Sequence, residues 1–256
     1  LELPFPDGSF QRFSLVESPV MEDGLAVKYP MIKTYAGQGI DDRTATIRCD
    51  MTQFGFHGYV LSASGTVYID PVSLSDTRNY IVYFKKEIPE ELFNLNCEMD
   101  ERNILRHPQD SYSTNAVLDG QLRTYRLALA ATYEYVQYYG GNLSGANSGM
   151  ATTLNRVNGI YEREVDVHIN LVANNDALVF TTPVDPYTNS SGYTMMFENQ
   201  YYIDSIIGKP NYDIGHVFST GGGGIASVRC VCDDSTKAQG VTGLSSPVGE
   251  IGRAHV

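Results

Sequence analysis

The chain has 256 residues, 42% hydrophobic and 19% charged, a globular composition with ample material for a core. Its net charge of -12 argues against the basic footprint of a nucleic-acid binder, and no run of about 20 apolar residues is present to span a membrane. Along the chain, residues 1–90 alternate like strands with Gly/Pro/Asp turns between them. The clearest hairpin is "GYVLSASGTVYID", where Tyr59-Val60-Leu61 and Val67-Tyr68-Ile69 flank Ser62-Ala63-Ser64-Gly65. Asn79 to Lys86 is a further strand. Residues 91–121 are polar, charged and weakly periodic, the pattern of a connector.

A second unit follows. Leu122 to Tyr135 reads as helix by propensity or strand by its aromatic edges, and periodicity does not decide. After a Gly/Asn/Ser stretch read as loop, Met150, Leu154, Val157 and Tyr161 form one helical stripe. Val165, Val167, Ile169 and Leu171 alternate against Asp166, His168 and Asn170, as in a half-buried strand. Beyond Pro183 and Pro186, Ile203, Ile206 and Ile207 share a helical face that Gly208 caps and Pro210 stops. Two strand-like runs then flank four glycines in "NYDIGHVFSTGGGGIASVRCVC", with Cys230 and Cys232 expected on one strand face, and Lys237 to Gly243 supplies a short last strand. The order is that of a mixed α/β layer.

The glycines lack the GK[ST] that would make a phosphate loop, and they run into a β-like segment. A plain structural turn remains one reading. The other is an edge strand, Gly223, Gly224, Ile225, Ala226 and Ser227, whose bare backbone lets an extended peptide pair with it.

"NRVNGIYERE", "ENQYYID", "YDIGHVFSTGGGGIA", "KAQGVTG" and "SSPVG" resemble the bacterial reprolysin-type metallopeptidases, metzincins related to the adamalysins. The resemblance covers about Leu122 to Gly249 and implies an α+β chain. Residues 1–90 would be a β-rich pro-region, 91–121 the connector, and 122–249 the N-terminal part of a metzincin-like catalytic domain with a mixed five-stranded sheet and helices. The resemblance also implies that the active-site helix is lacking, since the family places HExxHxxGxxH just beyond "PVG". The terminal "EIGRAHV" resembles translated sequencing adapter, so residues 250–256 are expected to be a non-native tail. By position Gly223 to Ser227 would form the rim strand along which substrate lies. The resemblance further implies a secreted or cell-surface zinc endopeptidase zymogen, acting on peptides or proteins, with its own pro-region packed on the catalytic cleft.

None of the five histidines, His57, His107, His168, His216 and His255, lies in an HExxH or stands four residues from another. Zinc is therefore expected only in the full-length enzyme, and this chain is expected to be inactive. Cys97, in the connector, is the candidate inhibitory thiol, because a thiolate takes an open zinc position well; Cys49, within a strand-like run, is the poorer one. Asp166, Asp176, Asp185 and Asp213 with Asn174 and Asn175 are calcium-ligand candidates, though solvated loop acids are the better reading. Two other functions stand beside the peptidase: a non-catalytic peptide-binding module on the same fold, and a β-rich surface or adhesion protein.

Overall fold

A computed structural model describes residues 1–89 and 120–247. The first unit is a seven-stranded antiparallel meander in simple sequence order. Its strands are β1 (Glu2–Pro4), β2 (Phe10–Glu17), β3 (Lys33–Gly39), β4 (Thr46–Thr52), β5 (Gly55–Ser62), β6 (Gly65–Ser73) and β7 (Asp76–Phe84), with the short helix α1 (Asp23–Ala26) between β2 and β3. The hairpin read from the sequence closes where Ser62 pairs with Gly65, whose φ of 127° suits glycine. Leu3 of β1 and Val82 and Phe84 of β7 pack into one cluster with Phe13, Ile47, Cys49, Val60, Val67 and Ile69. The first and last strands therefore share a core, and the sheet curls into a near-barrel.

Strand alternation then dictates what the barrel shows outside. On β4, Ile47 and Cys49 fill the barrel, so Arg48 and Asp50 face outward; on β6, Val67 and Ile69 point in and Tyr68 and Asp70 out. Tyr59, Tyr68 and Tyr83 stand directly opposite one another on β5, β6 and β7 and make a ladder, with ring centroids 5.2 and 5.4 Å apart.

The second unit is a five-stranded sheet of order β11-β12-β10-β8-β9. It is built from β8 (Arg123–Ala131), β9 (Val167–Leu171), β10 (Ile214–Ser219), β11 (Gly224–Ala226) and β12 (Gly240–Gly243). β9, β8, β10 and β12 run parallel, and β11 is antiparallel to β12 at one edge. The connecting helices are α2 (Tyr133–Tyr138), α3 (Leu143–Val165) and α4 (Gly192–Ile206). On β8, Leu127, Leu129 and Ala131 face a cluster with α2 and α3, while Ala128 and Ala130 face a second cluster with Met195, Met196 and Ile203 of α4.

The α+β reading with a mixed five-stranded sheet agrees with this architecture, and several boundaries need correction. The ambiguous Leu122–Tyr135 segment is strand through Ala131 and helix from Tyr133. The Gly/Asn/Ser "loop" is the start of α3, capped by Asn142, whose side chain accepts from Gly145 N at 2.9 Å. Its small residues serve close packing: a side chain at Gly145 would strike the Tyr139 carbonyl, and one at Gly149 the Tyr139 ring. Val165 belongs to α3 and is exposed; Asp166 ends the helix in the left-handed region at φ 54°. Ile206 leaves the buried face that Ile203 and Ile207 share. Cys230 and Cys232 are not on a strand, because β11 stops at Ala226 and the chain turns through Arg229 and Cys232 with positive φ.

The two units meet along α3. Its stripe of Thr152, Asn155, Arg156, Gly159 and Glu162 lies on the outer face of the barrel. Arg156, 1% exposed, pairs with Asp70 and lies 5.1 Å from the Tyr68 ring centroid; Asp70 also accepts from Tyr83 at 2.9 Å. Thr152 donates to Asp50 at 2.8 Å, Asn155 donates to the Cys49 carbonyl at 2.9 Å, and Arg48 pairs with Glu162. A buried ion pair stripped of one partner leaves an uncompensated charge, so Arg156→Ala is expected to lower the unfolding free energy by about 3–5 kcal/mol in a urea titration. A loss below about 1 kcal/mol, the level of an exposed pair, would contradict that assignment.

Candidate functional site

The four-glycine stretch turns the chain from β10 into β11. Gly222 and Gly223 have φ of 80° and 66°, which glycine adopts without a steric penalty. The turn is also packed: a Cβ at Gly222 would lie 2.7 Å from Gly192 N at the start of α4, and one at Gly221 would lie 2.6 Å from the Asn189 carbonyl. Gly243 on β12 lies so close to the Gly221 carbonyl that no side chain fits there. The glycines thus seat a tight turn against α4 and β12.

Beyond the turn, β11 is the last strand of its sheet. Ser227 N donates to the Gln239 carbonyl at 2.9 Å, and Gly243 N to the Gly223 carbonyl at 2.7 Å. Ile225 pairs with Val241 between them. Antiparallel bonding alternates, so residues 223, 225 and 227 bond inward to β12, and Gly224 and Ala226 turn their N–H and C=O groups to the free edge. The Ile225 side chain packs toward the α4 cluster, while Gly224 and Ala226 stand opposite Thr242 and Gly240 on the other face. Of the five residues singled out from the sequence, Gly224, Ile225 and Ala226 form the strand, and Gly223 and Ser227 hold its two ends. The result is a short, narrow edge strand in which Gly224 is buried and Ile225 and Ala226 are half-buried.

On the α3 side of the sheet, β10 alternates between buried Gly215, Val217 and Ser219 and half-buried Ile214, His216 and Phe218. His216 Nε2 lies 2.9 Å from Thr242 Oγ1, its ring stands edge-on to Phe218, and Gly240 leaves room for it. Tyr212, just before β10, is buried among the α4 residues and donates to Asp204 at 2.7 Å.

The other expected ligands are dispersed. His57 pairs with Asp50 at 2.9 Å, and His168 lies between Glu162 and Asn170. Asp213 takes a bidentate contact from Arg126, which holds its carboxyl below the usual range, and Asp176 pairs with Lys28 at 2.8 Å. Asp185 accepts from the backbone N–H groups of Tyr133 and Tyr187, and Asn175 bridges both backbone groups of Leu129. Among the described residues no three His, Cys, Asp or Glu side chains gather as a metal-holding group. These residues fit neither the zinc nor the calcium that the sequence raised. Burial pushes the Cys49 thiol up to about 12, so it stays protonated. Cys97, His107, His255 and the 250–256 tail lie outside the described residues. No described helix is long and apolar enough to cross a membrane.

Burial lowers His216 from 6.5 to about 4. The unfolded chain thus takes up a proton near the ordinary value, while the folded chain resists until about 4. Stability from this residue is complete above the ordinary range and is lost as pH falls from 6.5 to about 4. Melting temperature is expected to drop across that window, and His216→Gln, which keeps a polar partner for Thr242, to flatten the drop. An unchanged pH profile in the variant would rule out His216 as its source.

No curated protein matches the chain. The sequence model of the family described as Metallo-peptidase family M12B Reprolysin-like matches residues 147–256, which include most of α3, all of α4 and strands β9 to β12. That span contains the glycine turn and the antiparallel edge strand. Residues 147–256 are a reprolysin-like M12B metallopeptidase domain.

Proposed function

We propose that this chain comprises the pro-region and the sheet-forming part of the catalytic domain of a secreted zinc metalloendopeptidase zymogen, inactive as it stands, in which β11 holds the peptide substrate. The observation that carries this reading is the antiparallel edge strand β11 beside four parallel strands, within a domain matched to a peptidase family. An extended peptide laid against β11 would exchange backbone hydrogen bonds with Gly224 and Ala226. Those bonds ignore side-chain identity, which suits an enzyme that must hold many sequences. The small residues at 224 and 226 add little bulk to the face they share.

Among the described residues no group of His, Cys, Asp or Glu gathers to hold a metal, and in this reading the chemical step is carried outside them. Cys97 as the inhibitory thiol and the 91–121 connector as the place of activation belong to the same reading. A non-catalytic peptide binder on this fold is favoured by the lack of a metal-holding group among the described residues. The adhesion reading has less support, because the second unit is a mixed sheet rather than a β-only one.

The test extends the chain past Gly249 with its own gene sequence and assays peptide cleavage. Once cut within the 91–121 connector, the extended protein is expected to cleave and to stop when chelated; the 256-residue chain is expected not to cleave. Ala226→Pro removes an N–H that faces the free edge and spares the β12 ladder. In the extended protein it is expected to lower kcat/KM by about 2- to 10-fold, the loss of one hydrogen bond, with melting unchanged. Cleavage by the 256-residue chain would overturn the inactive-fragment reading, and full activity of Ala226→Pro would overturn the docking role.

A further inference from the structure

The N-terminal barrel is expected from the resemblance to lie over the catalytic cleft. Its described residues contact the second unit along α3, at Tyr139 after α2 and at β9, and β9 is the opposite edge of the sheet from β11. Three kinds of contact build this junction, and they differ in how they respond to water.

The first is an apolar wedge. Val20, Met21, Leu25, Tyr29 and Ile32, from the segment between β2 and β3, and Phe54 from the β4–β5 turn are each at most 9% exposed. They share one cluster with Leu127, Leu129, Met150, Leu154, Ile169 and Leu171 of the second unit. No boundary divides that cluster into two cores. The second is backbone pairing. Leu171 N donates to the Val20 carbonyl and Glu22 N to the Leu171 carbonyl, both at 2.9 Å, so the Val20–Glu22 segment covers the outer edge of β9. Glu22 Oε2 then accepts from Ala173 N at 2.8 Å. The third is the polar row of Arg48–Glu162, Asp50–Thr152, Cys49–Asn155 and Asp70–Arg156.

The polar row could exchange its partners for water and by itself would allow separation. The wedge and the covered edge could not. Separation would expose six apolar side chains from the barrel together with the cluster residues beneath them, and would open the β9 ladder to other chains. We infer that the N-terminal barrel is a permanent structural partner of the metallopeptidase-like domain, and stays bound when the chain is cut between them. Activation by cleavage would then act through the segment joining the units, without departure of the barrel. This holds whether or not the peptidase reading does, so either can fail alone.

The test inserts a site-specific protease sequence between Ile104 and Leu105 of the full chain, cuts the folded protein and runs native size exclusion. The two fragments are expected to co-elute at the volume of the uncut chain, both at low salt and at about 1 M, where ionic attraction is screened to a few ångströms. Separation at low salt would overturn the proposal, and separation only at high salt would overturn the wedge as its cause. Because the inserted sequence could resist cutting, the same two pieces are also co-expressed as separate chains with an affinity tag on the first. Recovery of both in equal amounts on that tag is the expected outcome; recovery of the tagged piece alone would again overturn it. Leu25→Asp in the cut protein is expected to release the fragments, whereas Arg48→Ala is expected to leave them together.

Discussion

Arg156 sets the terms on which the rest of the molecule is arranged. A guanidinium at 1% exposure must have its charge answered inside the protein, and Asp70 with the Tyr68 ring answers it from another unit of the chain. That requirement makes α3 a helix with two buried sides. Met150, Leu154 and Ala151 pack with β8 and β9 as any helix packs on a sheet. Thr152, Asn155, Arg156 and Glu162, on a face that would ordinarily be left to solvent, take partners from the barrel. β4 carries the same double duty, with Ile47 and Cys49 inside the barrel and Arg48 and Asp50 against the helix.

This arrangement gives the two edges of the second sheet different fates. An unpaired edge invites any passing strand, so a folded protein has to cover it, shorten it or use it. The edge at β9 is covered by Val20 to Glu22. The edge at β11 is kept short, three residues between a packed glycine turn and the Ser227–Gln239 contacts. The second sheet thus has one edge paired at Leu171 and the other kept short and held at both ends.

Much of this was legible in the chain. The period of two from Tyr59 to Ile69 gave the hairpin, and the alternation around His168 gave β9, because half-buried strands write their two faces directly into the sequence. The glycine run marked the turn and the edge, since positive φ at consecutive positions leaves few other residues to choose. Less legible were features set by distant partners. "LSGANSGM" looks like a loop by propensity and is helix, because Asn142 caps it and its glycines fit against Tyr139. The burial of Arg156 and Asn155 has no local signature, since nothing nearby in the sequence reveals a second unit lying across them. "SVRCVC" alternates like a strand and is not one: β12 offers partners only as far as Gln239, and the chain turns away through Arg229.

The histidines make the same point about chemistry. Each of His57, His168 and His216 has a polar partner in the fold, and the partners differ in what they leave for function. His57 and His168 stand against carboxylates that also bind the opposite unit, through Thr152 and Arg48, so their hydrogen bonds serve the junction. Among the described residues His216 bonds a neutral hydroxyl, on a sheet face where Ile214 and Phe218 are also half-buried. Its low proton affinity keeps it neutral there at ordinary pH. A neutral, half-apolar face suits further packing of protein, and on the same side of the sheet the Tyr139 hydroxyl donates to the Pro247 carbonyl.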